Sequence, residues 1–370
     1  MKDIIIDKTG WKKWRFDEVC RQVNVSSKDP KADGLHYVVG LEHIEPGNLH
    51  ITKWDTLEKE TTFTRKFVKG QVLFGRRRAY QRKVAYAEFD GICSGDILVF
   101  EAIEDNLIPE LLPFLIQSDG FFEKALATSA GSLSPRTKFK ELADYEFLLP
   151  PKAEQKRLAE LLWAADEMIE KEKKVVCKVK DKINLTLSNV LGACQNGCYS
   201  SKKHEFIKIA KVLLNNKFNV GKLDTKDYQE CGLYPIIDQS KNEVAAYSNN
   251  KEYLYNGILP VLIFGDHTTI VKYVDFPFIL GADGTKILLV NEDIVLANYL
   301  YYAIQNLNIV PQGYRRHYSI LKDLEIPLLS IERQKELISQ LNKMESLIKQ
   351  QKQVLYMSRL LKKELINKIF

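Results

Sequence analysis

Leu142-Ala143-Asp144-Tyr145-Glu146 recurs 179 residues later as Leu321-Lys322-Asp323-Leu324-Glu325, with three of the five residues identical. The same offset, without a gap, matches Arg136 with Arg315, Leu149 with Leu328, Gln155 with Gln334, Leu158 with Leu337, Leu162 with Leu341 and Ile169 with Ile348. A match at one fixed offset indicates an internal repeat. Upstream the two halves diverge, apart from a looser similarity between Gly70–Gly75 and Leu259–Gly265.

Each copy of the repeat leads into a long amphipathic helix. Apolar residues recur at alternating steps of four and three, which predicts a coiled-coil interface. The predicted interface residues are Leu158, Leu162, Ala165, Ile169, Val176, Val179 and Ile183 in the first helix, and Leu337, Leu341, Met344, Ile348 and Leu355 in the second. The second pattern then drifts in phase to Leu361, Leu365 and Ile369. We expect the two helices to pair with each other, antiparallel; the alternative is two unrelated helices that each pack on their own domain.

The ends of both helices carry local signals. Pro150-Pro151 suits a first helical turn, Ser330 is a candidate N-cap, and Gly192 and Gly197 end the first helix. Each helix covers about 40 residues, or about 60 Å. The predicted organisation is a first globular domain at 1–149, a first coiled-coil helix at 150–194, a second globular domain at 195–326 and a second coiled-coil helix at 327–370.

The two globular segments mix strands with helices, which predicts an α+β fold used twice, with pseudo-twofold symmetry. The predicted strands are 37–39, 71–74, 83–86 and 96–100 in the first segment, and 260–264, 270–274 and 286–290 in the second. One helix is expected after the last strand of each segment, at 107–126 and at 294–306. A length of 370 residues suits two domains.

Composition limits the class of protein. An apolar fraction of 45% and a charged fraction of 28% are those of a soluble globular chain. Because no apolar run reaches the roughly 18 residues of a membrane span, we expect a cytoplasmic protein without a membrane partner. The six cysteines are too scattered for a disulfide scaffold and are expected to be reduced. A net charge of +6 is compatible with a nucleic-acid partner but does not require one.

Two basic and aromatic clusters are candidate DNA contacts. The first contains Arg76, Arg77, Arg78, Tyr80, Arg82 and Lys83; the second contains Tyr314, Arg315, Arg316, His317 and Tyr318. Arg136, with Lys138 beside it, occupies the place in the first repeat that Arg315 occupies in the second. Arginine reaches phosphates and the edge of guanine bidentately, and tyrosine adds contacts to sugars or bases. The alternative for each cluster is a solvated charged turn.

The motifs of several enzyme classes are missing from the sequence. It contains no phosphate-binding loop, no GxGxxG, no HExxH and no Asn/Asp-Pro-Pro-Tyr/Phe motif of base methylation. Cys194, Cys198 and His204 offer at most three ligands at unusual spacing, so we expect no zinc site. Gly265–Thr269, with His267 and Thr268, is interpreted as a polar contact loop. A stand-alone nuclease with an unrecognised site, or a coiled-coil assembly protein that ignores DNA, remains an alternative.

The order of segments and helices resembles the specificity subunit of type I restriction–modification systems. The resemblance rests on Leu148–Leu158 at the first helix, of which the second copy, Ile326–Gln334, lacks the double proline. Arg77–Ala85 with Phe89–Ile97 is similar to one type of target-recognition domain. Tyr234–Lys241, which adds Gln239 and Lys241 as candidate DNA contacts, is similar to another, together with Phe264–Thr268 and Phe278–Gly284.

The resemblance implies a subunit that reads a bipartite, asymmetric site in double-stranded DNA. One half-site would belong to each recognition domain, and the helix pair would set the spacer between them. It also implies a non-catalytic scaffold for two methyltransferase subunits and two motor/nuclease subunits. S-adenosylmethionine, ATP and Mg²⁺ would then belong to those partners and not to this chain.

Overall fold

The computed structural model describes residues 6–370 except 60, 132, 196–197, 201–203, 216–220, 282–283, 312 and 314–315, with the backbone alone at 193–195, 198 and 200. The chain divides into two units. Unit 1 comprises Met1–Lys173 and Gln353–Phe370, and unit 2 comprises Lys174–Lys352. Among the described residues, none of the helices has both the length and the apolar character needed to span a membrane.

The first half of the chain contributes ten strands and five helices among the described residues. They are β1 Lys12–Arg15, α1 Phe16–Val19, β2 Cys20–Val23, β3 Tyr37–Val39, β4 Asp55–Thr56, β5 Arg65–Phe67, β6 Val72–Gly75, β7 Val84–Tyr86, β8 Gly91–Cys93, β9 Ile97–Ala102, α2 Leu112–Gln117, α3 Asp119–Ala127, α4 Phe139–Leu142, β10 Glu146–Leu149 and α5 Lys152–Leu191.

Two four-stranded sheets and one strand pair build unit 1. The antiparallel sheet has the order β2-β9-β6-β7, the second sheet has the order β4-β3-β8-β5 with β3 parallel to β8, and β1 pairs with β10. Every residue of β6 is buried because its two faces meet two different cores. Val72 and Phe74 face a core that includes Phe16 and Phe100, whereas Leu73 faces the other, as the two-residue period of a strand requires.

The second half contributes the remaining elements. They are β11 Ala193–Gln195, β12 Cys198–Ser200, β13 Glu205–Lys208, α6 Ile209–Val212, β14 Leu213–Leu214, β15 Tyr234–Ile237, β16 Ala246–Ser248, β17 Val261–Gly265, β18 Val271–Val274, β19 Ile279–Leu280, β20 Thr285–Val290, α7 Ala297–Leu307, α8 Tyr318–Asp323, β21 Glu325–Leu328 and α9 Ile331–Ile369.

Unit 2 repeats the topology of unit 1, except that its second sheet has three strands instead of four and that β11 and β12 form an additional antiparallel pair. Its antiparallel sheet has the order β14-β20-β17-β18, its second sheet has the order β16-β15-β19 with β15 parallel to β19, and β13 pairs with β21. Leu262 and Phe264 of β17 face one core, and Val261 and Ile263 face another. The prediction of one α+β domain used twice is therefore confirmed.

The predicted strands are present within one or two residues of their expected bounds. The helical stretch expected over 107–126 is present, but it consists of a short helical turn at Pro109–Leu111 followed by α2 and α3, with a break at Ser118. The Ser118 hydroxyl accepts the N–H of Phe121 at 3.2 Å and so caps α3. An apolar pattern does not detect a cap inside it. The second expected helix is α7, without a break.

Helices α5 and α9 pair antiparallel. In unit 1 the ammonium of Lys362 contacts the Asp166 carboxylate, and the Ser358 hydroxyl donates to Glu172 Oε1 at 3.1 Å. Interface positions of both helices are buried in each unit: Leu158, Leu162, Ile169, Leu365 and Ile369 in unit 1, and Val176, Leu187, Leu191, Leu337 and Leu341 in unit 2. The other predicted positions, Ala165, Val179, Ile183, Met344, Ile348 and Leu355, are half-buried.

Two details of the helix prediction change. Leu361 is 39% exposed, and Lys362 takes the buried position. The coiled-coil interface of α9 continues from Leu355 through Ser358 to Lys362, in the same steps of three and four residues. The expected phase drift to Leu361 is therefore wrong. Ser330 is confirmed as an N-cap, since its Oγ accepts the N–H of Arg333 at 3.3 Å. Gly192, at φ 94°, follows the last residue of α5, and Gly197 lies outside the described residues.

Candidate nucleic-acid interface

A loop leaves the end of β6 in unit 1, and its backbone is held at three points. The N–H of Gly75 donates to the carbonyl of Lys83 at 2.9 Å, which closes the loop over residues 76–82. The N–H of Arg76 donates to the carbonyl of Asp96 at 3.0 Å, and its own carbonyl accepts the N–H of Thr137 at 3.1 Å. The loop therefore has a fixed base.

Unit 2 holds the loop after β17 in the same way. The N–H of Gly265 donates to the carbonyl of Ile270 at 2.8 Å. Asp266 donates its N–H to the carbonyl of Gly284 at 2.6 Å and accepts the N–H of His317 at 3.0 Å. The hydrogen bonds that hold the two loops involve backbone atoms, so they place few limits on the side chains. The same arrangement can therefore hold a basic loop in unit 1 and a shorter, polar loop in unit 2.

Asp96 fixes two arginines of unit 1. Arg136 Nε donates to Asp96 Oδ1 at 2.7 Å, Arg77 contacts Asp96 Oδ2 at 3.3 Å, and Arg77 also donates to Ser134 Oγ at 3.0 Å. Burial acts to raise the pKa of Asp96, but the guanidinium of Arg136, and then that of Arg77, outweigh it and hold the pKa below its ordinary value. The arginine side chains stay 38% and 41% exposed, so each guanidinium is held in a fixed orientation and stays partly open to solvent, although Nε of Arg77 is buried.

Tyr80 forms the tip of the loop. It lies in the short turn Ala79–Gln81 and is 57% exposed. Arg78 and Arg82 flank this turn at φ 54° and 52°, a left-handed conformation that costs free energy in residues other than glycine. The N–H of Arg78 donates to the carbonyl of Pro135 at 2.8 Å. The surrounding contacts thus present an aromatic ring to solvent.

Other predicted contact residues of the same loop point into the protein. Arg82 pairs with Asp119 and stacks 4.4 Å over the ring of Phe122. Lys83 Nζ donates to the carbonyl of Leu41 at 2.5 Å. Burial, and then repulsion by Arg65, lower the pKa of Arg76. Arg82 and Lys83 thus support the loop, Arg76 is half-buried, and Lys138 is exposed at the start of α4.

Gln239, His267 and Thr268, three candidate contacts from separate stretches of the sequence, lie together in unit 2. Thr268 Oγ1 donates to the carbonyl of Gln239 at 2.8 Å, and the N–H of His267 donates to Gln239 Oε1 at 3.4 Å. A Cβ at Gly265 would lie 2.2 Å from Thr268 Oγ1, and one at Gly284 would lie 2.8 Å from His267 Cδ2. Two glycines are therefore needed for this close packing.

The second basic cluster is divided by the structure. His317 is 1% exposed, and its Nδ1 lies 2.9 Å from the carbonyl oxygen of Asp266. It positions the loop, so its prediction as a DNA contact is corrected. Tyr318 is half-buried, and Arg316 and Lys241 are exposed. Tyr314 and Arg315 lie outside the described residues, and DNA contact by them stays a prediction.

Gln155, whose role the sequence did not explain, joins α5 to the domain before it. Its Oε1 accepts the N–H of Ile108 at 3.0 Å, and its Nε2 donates to the carbonyls of Pro150 at 3.0 Å and Asn106 at 3.1 Å. The side chain is buried. All donors and acceptors of one amide are thus used to fix the helix against its domain.

Gln334 makes the same set of contacts in unit 2. Its Oε1 accepts the N–H of Leu296 at 2.8 Å, and its Nε2 donates to the carbonyls of Leu329 at 2.9 Å and Ile294 at 3.2 Å. The glutamine match at offset 179 therefore marks a duplicated joint between helix and recognition domain.

A charge network in unit 1, buried at Asp166 and Lys362 and exposed at Glu88, was not predicted. His50 Nε2 lies 2.8 Å from Asp166 Oδ2, its Nδ1 lies 3.0 Å from Glu88 Oε1, and Lys362 contacts the other oxygen of Asp166. The hydrogen bond to Asp166 is the main cause that raises the pKa of His50 to about 9. The network connects the loop at His50 to α5 and α9. Its members are 116 and 196 residues apart, beyond any local pattern.

One described group has metal-ligating chemistry. Ligand atoms of Glu42, His43 and Asp55 lie within 4.8 Å of one another. Lys59 Nζ, however, contacts Asp55 at 2.5 Å, so a protein cation already neutralises this carboxylate. The side chains of Cys194 and Cys198 lie outside the described residues.

Comparison with known proteins gives matches in sequence and matches in structure. Residues 8–179 match the family described as type I restriction modification DNA specificity domain. The specificity subunit of the Escherichia coli type I restriction enzyme EcoDI is 26% identical over 168 residues, which are 44% of this chain and 37% of that protein. The EcoR124I/EcoR124II specificity subunit from the same organism is 32% identical over 84 residues, 22% of this chain and 21% of that protein. The matches thus span well under half of both relatives.

Solved structures match over nearly the whole chain. The type I restriction-modification S subunit from M. genitalium has a TM-score of 0.61 at 14% identity, covering 98% of this chain and 96% of that one. A chain from a study of complex assembly and conformational transition of the type I R-M system has a TM-score of 0.56 at 17% identity, covering 98% and 97%. These likenesses show a shared fold.

Proposed function

Because residues 8–179 match the type I restriction modification DNA specificity family and the chain shares the fold of a type I S subunit, we propose that it is the DNA-recognition subunit of a type I restriction–modification complex. It reads double-stranded DNA with one recognition domain per half-site. The two Escherichia coli relatives named as specificity subunits support the proposal.

The observation that carries the proposal is the duplicated loop frame. The backbone hydrogen bonds at Arg76 and Asp266 are equivalent, but the loops differ in length and in side chains. Arg77, Arg136 and Tyr80 offer guanidinium donors and an aromatic ring in unit 1. Thr268 and Gln239 offer a hydroxyl and an amide in unit 2. Two different sets of donors and acceptors select different bases, so the target is asymmetric.

Exposed apolar residues on α5 and on α9 support the binding of one partner subunit to each helix. Leu161, Met168 and Val175 of α5 are 41–50% exposed at seven-residue steps. Leu347 and Val354 of α9, 44% and 47% exposed, occupy the equivalent positions of Met168 and Val175 at offset 179. A second apolar stripe on a coiled coil favours further helices as partners. We assign these two related stripes to two methyltransferase subunits, and two motor/nuclease subunits complete the complex.

The chemistry belongs to the partners in this proposal. The chain itself is non-catalytic, and S-adenosylmethionine, ATP and Mg²⁺ bind to the methyltransferase and motor/nuclease subunits. The complex works in the cytoplasm, where it meets cellular DNA. The lengths of α5 and α9 set the number of unread bases between the half-sites.

Selection of duplexes from a random pool by the chain, alone and with its methyltransferase subunit, tests the proposal. The bound pool should contain two separated motifs. Arg136→Ala should relax one motif, at a cost of about 1–3 kcal/mol per lost base contact, and Thr268→Ala should relax the other. Arg21→Ala is the control, because Arg21 also pairs with a carboxylate, Glu101, but lies outside the loops. Equal weakening of both motifs by every variant would contradict the assignment.

A further inference from the structure

Unit 2 has a groove of about 840 Å³ between its recognition domain and its helices. The lining residues used below are Lys180 and Ile183 of α5, Ile348, Lys349 and Lys352 of α9, and Lys241, Ile270 and Lys272 of the domain. We refer to it as the helix groove. Apolar side chains and tyrosines form much of its walls, and lysines form its rim.

The charge of the helix groove favours an anion. Five lysines line it against three carboxylates, Glu243, Asp275 and Glu345. Lys180, Lys349 and Lys352 are exposed, and none of them has an ion-pair partner among the residues that the structure describes. Exposed, unpaired ammonium groups on two neighbouring helices leave a local excess of positive charge.

Lys272 adds a buried cation at the floor of the helix groove. It is 8% exposed, and its Nζ lies 3.6 Å from Asp238 Oδ1. Within the described part of the chain this ammonium makes no hydrogen bond. Asp238 balances the charge of this ammonium from beyond hydrogen-bond distance, and an anionic oxygen in the groove would supply an acceptor within that distance.

The helix groove is continuous with the candidate reading loop. Lys241 follows Gln239 closely along the chain, and Ile270 ends the loop that carries His267 and Thr268. Both Lys241 and Ile270 line the groove. A DNA backbone that passes the reading loop would therefore next contact the lysines of α5 and α9.

Unit 1 has an equivalent groove of about 750 Å³. At offset 179 its Ile169 matches Ile348 and its Lys173 matches Lys352, while its Arg359 corresponds to Lys180. Arg82, the last residue of the reading loop of unit 1, lines it as Ile270 lines the groove of unit 2. The repeat thus preserves one isoleucine and two cationic positions next to each reading loop, and of the unit 1 cations Lys173 is paired with Glu170.

We propose that each helix groove binds the phosphate backbone of the spacer DNA beside its half-site. The proposal rests on the proposed function and deepens it. The helices then contact the spacer duplex directly, without reading bases, in addition to setting its length. Phosphate contacts of this kind fix position and add affinity that falls with salt.

The test uses the full chain with its methyltransferase subunit and a duplex that carries the selected site. The triple variant Lys180→Gln, Lys349→Gln, Lys352→Gln should bind every duplex more weakly, by at least about tenfold at low salt, and should lower the slope of log affinity against log salt by about 2–3. The selected bases should not change.

Lys174→Gln, Lys178→Gln, Lys182→Gln is the matched control. These lysines are exposed on the same helix α5, outside the lining of the groove, and the change in net charge is identical. Equal effects of the two triple variants, an unchanged salt slope, or an altered base preference would overturn the proposal. Inhibition by ATP or inorganic phosphate at low concentration would instead indicate a small-molecule site. Absence of any sequence preference in the wild-type complex would contradict the proposed function itself.

Discussion

Asp166→Asn is the substitution with the largest predicted effect on stability. The side chains of Asp166 and Lys362 are 4% and 6% exposed, and the ammonium lies 5.3 Å from the ring of Phe114. Without the carboxylate, Lys362 is a buried charge whose remaining acidic neighbour, Glu170, is already paired with Lys173. Breaking such a pair from one side costs about 3–5 kcal/mol, and we expect the free energy of unfolding of unit 1 to fall by that amount.

Urea unfolding followed by tryptophan fluorescence measures this loss selectively. All four tryptophans, Trp11, Trp14, Trp54 and Trp163, lie in unit 1, and Trp163 is 6.4 Å from the ring of His50. The midpoint should move to lower urea with an unchanged slope.

The double variant Asp166→Asn, Lys362→Met tests the cause. It removes the unpaired charge and keeps the volume, so it should recover at least about 2 kcal/mol of the loss. Glu167→Gln, which breaks only the exposed pair with Lys171, should leave the midpoint unchanged. The reasoning is refuted if Asp166→Asn unfolds within about 1 kcal/mol of the wild type, or if the double variant is no more stable than the single one.

Three further predictions follow from the described contacts. The pKa of His50 is raised to about 9 in the folded chain. The resulting contribution to stability is fully present below about pH 6.5 and is lost as the pH rises through about 9. In urea midpoints measured from pH 6 to 10, His50→Gln should remove this dependence, and parallel curves of midpoint against pH for the variant and the wild type would contradict it. Gln334→Ala leaves the N–H of Leu296 without its acceptor and should speed hydrogen exchange in unit 2 by an amount equivalent to about 1–3 kcal/mol, while exchange in unit 1 stays unchanged; a uniform change in both units would argue against a local joint. Seven residues inserted after Lys173 and after Lys352 lengthen both helices by about 10 Å and should lengthen the unread spacer by about three base pairs, and an unchanged spacer in selected duplexes would contradict a ruler.

The sequence predicted the features that repeat at a fixed interval. The offset of 179 located Gln155 and Gln334, and the four-and-three pattern located most of the interface of α5 and α9. The pattern failed where a polar residue lies at a buried position of the helix interface, as Lys362 does. Lys362 is buried there because it pairs with Asp166, which is distant in the sequence. The similarity of Gly70–Gly75 and Leu259–Gly265 put Arg76 and Asp266 at the same position after the strand, but it did not show their shared hydrogen bonds, which involve only backbone atoms.

The placement of candidate contacts was predicted in part. Arg77, Arg136 and Tyr80 face solvent, and Gln239, His267 and Thr268 lie together. His317 is buried, however, and Arg82 and Lys83 bind acceptors within the protein. A run of basic residues does not reveal which members meet a carbonyl or carboxylate, because Asp119 and Leu41, the partners here, lie 37 and 42 residues away.

The adenine-methylation motif of cells that express this chain with its partner subunits tests the central claim most directly. The predicted motif has two unlike halves separated by a fixed number of unread bases, and it disappears when the gene for this chain is deleted. A contiguous motif, a palindrome of two identical halves, or a motif that survives the deletion would contradict an asymmetric reader with two recognition domains.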